Sequence, residues 1–322
     1  MPSRSGTSRR APIGSSMAEE IRAGLARSPK EIPPKYFYDH RGSELFERIT
    51  ELPEYYPTRT EREILDTWMP ELIPHLGVRT LVELGAGSGE KARAILDAML
   101  ADHSPIVYLP IDVSAEFLEA SADRLRLEYS GLKVLPTVAD LADPLVLPTA
   151  LPAPRLFAFL GSTIGNFRPK KATALLRRVH AAMNRGDYFL LGIDLRKDSS
   201  VLEAAYNDAE GVTAEFNRNV LRVLNRMLGA DFDLEQFRHR AVYNVNAHRI
   251  EMYLDSLREQ RVTIPGVGAI RFKQNEPLRT EISCKYDRES IAALLEAAGL
   301  RLTKWKTDAK EWFALALAEG AS

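Results

Sequence analysis

Apolar residues fall in short continuous runs separated by stretches of helical spacing. The runs Thr80–Leu84, Ile106–Ile111, Lys133–Val138, Leu156–Leu160 and Tyr188–Ile193 read as strands. Between them, Lys91–Leu100, Ala115–Glu128 and Lys170–Met183 carry apolar residues on one helical face. This alternation predicts a parallel sheet with helices on both faces. Near the end a helix from about Arg288 closes at Gly299, and strands Arg301–Lys306 and Trp312–Ala318 follow. The five residues joining those strands permit an antiparallel hairpin and no crossover.

The flanking segments depart from this rhythm. Ala18–Ala26 reads as a helix stopped by Pro33-Pro34, Ser43–Ile49 as a second, and Thr60 starts a third towards Met69. Two aromatic clusters lie among them, Tyr36-Phe-Tyr38 and the proline-bracketed Tyr55-Tyr56. From about Lys197 to Tyr286 the alternation breaks into helices (Val201–Ala209, Thr213–Leu228 with Gly229 as C-cap) and then extended segments Arg249–Leu257, Arg261–Ile264 and Arg279–Tyr286. We read this stretch, with residues 17–59, as a second domain.

The strand Thr80–Leu84 breaks into Gly85, Gly87 and Gly89 ahead of the first helix. Glycines at such a turn let backbone approach a ligand that a Cβ would exclude. The third glycine arrives one position too early for a dinucleotide fingerprint, and Glu83 precedes the first. Acid-x-Gly-x-Gly-x-Gly resembles the first motif of S-adenosylmethionine-dependent methyltransferases. In an open sheet the ligand lies beyond the carboxyl ends of the strands. There Asp112 can accept from two ribose hydroxyls, Asp140 from an adenine amino group, and Lys91 can reach the carboxylate of a methionyl tail. Asp112 and Asp140 fit helix N-caps equally, and Lys91 fits a solvated helix face.

Composition narrows the classes. The chain has 322 residues, 45% hydrophobic, so a real core is available to one large or two smaller domains. Forty-three basic against 44 acidic residues leave a net charge of −1, which offers no global attraction to a nucleic acid. Cys284 is the single cysteine, so no intrachain disulfide can form. No apolar run approaches the roughly 18–20 residues of a membrane span. Residues 1–16 hold three arginines and no acid, and read as a disordered tail lacking the apolar stretch of a secretory signal. A soluble, cytoplasmic, monomeric protein is expected.

Longer motifs carry a more specific resemblance: Leu52-Pro-Glu-Tyr-Tyr-Pro-Thr-Arg-Thr-Glu61, Phe159-Leu-Gly-Ser-Thr-Ile-Gly-Asn-Phe167, Phe216-Asn-Arg-Asn-Val220, Ile250-Glu-Met252 and Thr280-Glu-Ile-Ser-Cys-Lys285. Together they resemble the histidine Nα-methyltransferases of ergothioneine biosynthesis, over nearly all of the chain from about Arg22 to Leu317. The resemblance implies a class I methyltransferase, with a Rossmann-like seven-stranded sheet and a second α+β substrate-binding domain. It assigns residues 60–196 and 287–322 to S-adenosylmethionine, and 17–59 and 197–286 to the substrate. The implied reaction is trimethylation of the α-amine of L-histidine to hercynine, with no metal.

The substrate residues follow in part from chemistry. In the extended segment around Thr280–Lys285, Glu281 and Ser283 project from one face about 6–7 Å apart, with Ile282 and Cys284 on the other. A carboxylate accepts from an imidazole N–H, and a hydroxyl donates or accepts at the second nitrogen. An indole offers one donor and no acceptor. The resemblance gives the same pair to the imidazole, sets Met252 beside the ring, and implies that Asn166 and Tyr206 hold the substrate carboxylate near the backbone of Gly161. It implies that Tyr38, Phe46 and Tyr55 line the pocket. Leu141 follows Asp140 where an aromatic is familiar, which touches adenine packing. Methyl transfer is an in-line displacement that rests on positioning. Its nucleophile is the neutral amine, and aromatic rings such as Tyr38, Tyr55 and Phe46 can stabilise the growing cation.

Three other functions remain open on the sequence: a methyltransferase of tryptophan or another aromatic amino acid, a non-catalytic nucleotide-binding module, and a nicotinamide oxidoreductase. The early third glycine counts against the last.

Overall fold

The computed structural model describes residues 13–101 and 106–321. Residues 1–12 of the expected tail lie outside these. Helix α1 (Ile13–Leu25) begins before residue 16, where the sequence places the end of the tail. A two-residue strand β1 (Lys30–Glu31), unforeseen because it is so short, pairs in parallel with a later strand. Helix α2 (His40–Glu51) starts where the Asp39 carboxylate accepts the Gly42 N–H.

Helix α3 (Tyr56–Leu76) runs well past the expected end near Met69, through Pro70 and Pro74. Its apolar face continues unbroken through Trp68, Met69, Leu72, Ile73 and Leu76, all buried. Burial of that face outweighs the hydrogen bonds the prolines remove.

The alternating part then follows the sequence closely. It comprises β2 (Thr80–Leu84), α4 (Ala92–Leu100), β3 (Ile106–Asp112) and α5 (Ala115–Glu128), then β4 (Leu132–Val134), β5 (Thr137–Val138), β6 (Arg155–Phe159), α6 (Pro169–Ala182) and β7 (Tyr188–Asp194). The expected strand Lys133–Val138 is divided into β4 and β5, both paired in parallel with β3. Pro110 gives the reason. The Tyr108 and Asp112 carbonyls accept from Leu135 and Ala139, so residues 108, 110 and 112 face this edge. Pro110 has no N–H to offer there, and Pro136 has none either.

Helix α7 (Ser199–Ala204) is shorter than expected, and α8 (Val212–Leu228) is separate from it. Asp208 ends the interval by accepting the Val212 and Thr213 N–H groups at 2.8 Å each. Next come β8 (Phe237–Asn244), β9 (Arg249–Ser256), β10 (Gln260–Ile264), β11 (Gly268–Phe272) and β12 (Pro277–Cys284). Strands β8 and β11 were not foreseen; their polar, partly exposed residues give no clean alternation. The chain ends with α9 (Arg288–Glu296), β13 (Leu300–Thr307) and β14 (Phe313–Gly320), the last two an antiparallel hairpin.

The large sheet has the order β13-β14-β7-β6-β2-β3-β4, with β5 beside β3. All neighbours are parallel except β14, which runs antiparallel to β7 and β13. Both faces are buried. Leu81, Leu156, Leu190 and Leu315 pack with α3, α4 and α5 on one side, while Val82, Phe157, Leu191 and Ala314 pack with α6 and α9 on the other. A second sheet has the order β1-β12-β9-β8, and β10 and β11 form a hairpin of their own.

The chain divides into two compact units. Of the described residues, the smaller holds those up to Phe37, Ala214–Arg240 and Met252–Glu281, and the larger holds those of Tyr38–Thr213, Ala241–Glu251 and from Ile282 on. Residues 38–59, 197–213, 241–251 and 282–286 fall in the larger unit, and Ile282, Cys284 and Tyr286 are part of the core of its sheet.

Candidate active site

The glycine turn has the backbone its sequence demands. Gly85, Gly87 and Gly89 take φ values of 67°, 54° and 73°, the left-handed region that a side chain resists. Asp112, at the carboxyl end of β3, fastens the turn. One of its oxygens accepts the Gly87 N–H at 3.0 Å, and the other accepts the Ser114 N–H at 3.1 Å. Glu83 sits beneath the turn on β2, buried and hydrogen-bonded to the Tyr108 hydroxyl. Burial raises its pKa from 4.5 to about 8, against the lowering effects of Tyr108 and Lys91.

Lys91 follows the turn, and its ammonium lies 2.7 Å from Glu61 on α3. Glu61 is fully buried, and its carboxylate also accepts the Gly161 N–H at 2.8 and 2.9 Å. Sequence reasoning missed Glu61 as a participant, although it closes one of the quoted motifs. Gly161 therefore gives its N–H to a side chain of the protein. Past β5, the Asp140 carboxylate accepts the Ala142 N–H at 2.8 Å. Leu84, Asp140, Leu141, Leu145, Leu175 and Val179 line a small recess there. Its lining is mostly apolar, with Asp140, Asp143 and Arg178 as the polar members. The turn, Asp112 and this recess all lie at the carboxyl ends of β2, β3 and β5, where the residues present fit S-adenosylmethionine.

Four of the aromatic residues singled out form one row in the larger unit. Ring centroids are 5.8 Å apart for Tyr38 and Phe46, 6.2 Å for Phe46 and Tyr55, and 6.3 Å for Tyr55 and Tyr206, each pair edge to face. The Tyr206 hydroxyl is 3.0 Å from Ser283 Oγ. Asn166 ends the short turn Thr163–Asn166, which lies against this same strand: a Cβ at Gly165 would stand 2.8 Å from the Cys284 carbonyl and 3.3 Å from Ser283 Oγ. Met252 and Glu281 lie on the neighbouring strands β9 and β12 and belong to the smaller unit. Met252 is buried and Glu281 half-buried. Ile282 and Cys284, on the alternate face of β12, are in the core as expected.

Behind Ser283 stands a buried charge network that the sequence did not reveal. The Lys285 ammonium lies 2.6 Å from Asp194, 2.8 Å from Ser283 Oγ and 3.1 Å from the Tyr206 hydroxyl. The other Asp194 oxygen accepts from Tyr56 at 2.7 Å and from Lys197 at 2.5 Å. Burial would raise the Asp194 pKa, but Lys285 and Lys197 outweigh it and hold the carboxyl below its ordinary range. For Lys285 burial acts downward, and Asp194 reverses it to leave the ammonium above the ordinary lysine range. The Tyr56 hydroxyl is pushed well up by burial and by Asp194. Lys285 stands in a quoted motif and Asp194 directly follows a predicted strand. Only their pairing across 91 positions of the chain was hidden. Among the described residues no His, Cys, Asp and Glu cluster could hold a metal ion.

The sheet order, with its antiparallel penultimate position, and the glycine turn define the class I methyltransferase fold. A solved S-adenosylmethionine-dependent methyltransferase from Clostridium acetobutylicum superposes with a TM-score of 0.51 over 87% of this chain and 99% of that one, at 13% identity. The sequence profile of the family described as "Histidine-specific methyltransferase, SAM-dependent" matches residues 17–320, and the chain belongs to that family. It is 45% identical to the histidine N-alpha-methyltransferase of Mycolicibacterium smegmatis, over 94% of each chain. It is 31% identical to ergothioneine biosynthesis protein 1 of Neurospora crassa, over 86% of this chain and 32% of that protein. No helix among the described residues is long and apolar enough to cross a membrane.

Proposed function

We propose that this enzyme trimethylates the α-amine of L-histidine to hercynine, the first step of ergothioneine biosynthesis. Family membership supports the reaction, and the pairing of Glu281 with Ser283 on one face of β12 carries the choice of amino acid. In this reading Glu281 accepts from the imidazole N–H and Ser283 bonds the other ring nitrogen. Met252 limits the size of the ring, and Asn166 serves the carboxylate near Gly161, whose own N–H is given to Glu61, while the Tyr206 hydroxyl backs Ser283.

Glu83, the glycines, Lys91, Asp112, Asp140 and Leu141 would hold S-adenosylmethionine. When bound, it supplies an electrophilic sulfonium methyl group. The chain's own residues do the positioning. A clasped ring and carboxylate leave the amine free to turn, so one nitrogen can react repeatedly while the ring nitrogens stay engaged. Tyr38, Phe46 and Tyr55 form an aromatic wall suited to a nitrogen that becomes permanently cationic. A monomeric, cytoplasmic enzyme completes the proposal, with sedimentation velocity as the check on its oligomeric state.

The decisive experiment is a mass spectrum of L-histidine after incubation with enzyme and methyl donor. Three added methyl groups, all on the α-nitrogen, are expected. Methylation of a ring nitrogen, or arrest at one methyl under saturating donor, would overturn the proposal.

A further inference from the structure

The chemistry of a hydroxyl leaves open whether Ser283 gives or takes a hydrogen bond at a ring nitrogen. The groups behind it decide. Lys285 is fully buried, and its ammonium has three protons to give and nothing to accept with. Its three partners at 2.6, 2.8 and 3.1 Å are the Asp194 carboxylate, Ser283 Oγ and the Tyr206 oxygen. A hydroxyl oxygen that accepts from an ammonium turns its own proton away from it. The Tyr206 hydroxyl also stands 3.0 Å from Ser283 Oγ, and a phenol is the better donor of the two. With Lys285 and Tyr206 directed at its oxygen, Ser283 has its proton left to offer.

We propose that Lys285, anchored by Asp194, is a positioning residue that makes Ser283 a hydrogen-bond donor, so that the enzyme takes its substrate with a neutral imidazole whose nitrogen lone pair faces Ser283. The inference rests on the histidine reading above. An imidazolium, protonated on both nitrogens, would set an N–H against the Ser283 proton. An indole has no lone-pair nitrogen to present.

Among the described residues, the other charged or titratable groups around this point are Glu281 and, on the opposite face, Cys284 of the same strand, Asp194, Arg196 and Lys197 at the end of β7, Tyr56 on α3 with Tyr55 before it, Tyr243 on β8, and Arg249 and Glu251 on β9; the Thr163–Asn166 turn contributes none. Asp194 lies below its ordinary range, where burial is outweighed by Lys285 and Lys197; Lys285 lies above its own, and burial pushes Tyr56 and Tyr243 up. Burial draws Lys197 down against the pull of Asp194. The shifts of Asp194, Lys285, Tyr56 and Tyr243 all lead away from about 6.5, where the substrate ring titrates.

The test uses hercynine, whose trimethylated nitrogen carries no titrating proton. It is titrated calorimetrically into the enzyme–S-adenosylhomocysteine complex, about one pH unit below the ring pKa, in two buffers of different ionisation enthalpy. Release of close to one proton per molecule bound is expected, with affinity weakening roughly tenfold per pH unit below about 6.5. Binding without proton release overturns the inference. Lys285→Met gives a second reading, because Asp194 retains Lys197 and Tyr56. The histidine KM should rise about tenfold or more while kcat changes less and S-adenosylhomocysteine binding holds, and proton release should diminish. Unchanged KM and proton release in that variant would also overturn it. Should Lys285→Met not fold, the wild-type calorimetry decides alone. A wild-type enzyme that leaves histidine unmethylated sinks the underlying reading, whereas a failure confined to the proton count or to Lys285→Met sinks this inference alone.

Discussion

Glu281 and Glu83 are both partly or wholly withdrawn from water, yet opposite consequences follow. Glu281 is half-buried on a strand face, where the proposal gives it an imidazole N–H to accept. Glu281→Ala would leave that donor without a partner, at a cost of about 1–3 kcal/mol. Histidine kcat/KM should fall roughly five- to 150-fold, with no comparable loss of any activity towards tryptophan. An equal loss for both amino acids would show that the residue does not read the ring. Glu83 has its pKa raised by burial from 4.5 to about 8, so the folded protein holds a proton that the unfolded chain has released. Its contribution to stability is complete below pH 4.5 and is lost as the pH rises towards 8, at roughly 1.4 kcal/mol per pH unit. Glu83→Gln should therefore gain on the wild type between pH 5 and 8 in urea unfolding. A constant difference across that range would mean that the folded carboxyl is already ionised.

At the scale of elements, β7 and α3 meet at a point that tolerates no added atom. A Cβ on Gly192 would run into Glu61 Oε1, one of the two oxygens that accept the Gly161 N–H. Gly192→Ala should cost about 1–3 kcal/mol of stability. It should also weaken binding of S-adenosylhomocysteine, because Lys91 loses its anchor. Denaturation and calorimetry on one preparation check both, and a variant equal to wild type in each would exclude the anchor role. The same element shows where sequence reading stops short. Prolines at 70 and 74 are stop signals locally, but the buried face of α3 overrides them. Conversely, Pro110 interrupts a ladder that the apolar pattern draws as continuous, since its missing N–H matters only once its neighbour is known.

For the whole molecule, ligand linkage separates the remaining functions. A ligand present at 100 times its Kd stabilises the folded state by about 2.7 kcal/mol. S-adenosylhomocysteine should raise the melting temperature, L-histidine should raise it further in its presence, and NAD should leave it unchanged. A shift with NAD and none with S-adenosylhomocysteine would return the glycine turn to the oxidoreductases.

The sequence by itself determined the parallel sheet, its closing hairpin, the glycine turn and the motifs that mark the family. Each rests on residues close together in the chain, where periodicity, backbone demand and spacing act locally. It also placed Glu281 and Ser283 on one face of a strand, because alternation along one strand needs no distant partner. The tertiary structure decided which side chains stand behind them. Lys285 meets Asp194, and Glu61 meets Gly161 and Lys91, across 91, 100 and 30 positions of the chain. Such pairs have no period and no spacing. They arise where the sheet and its helices converge, and a buried charge there persists only because another charge or a hydrogen bond answers it.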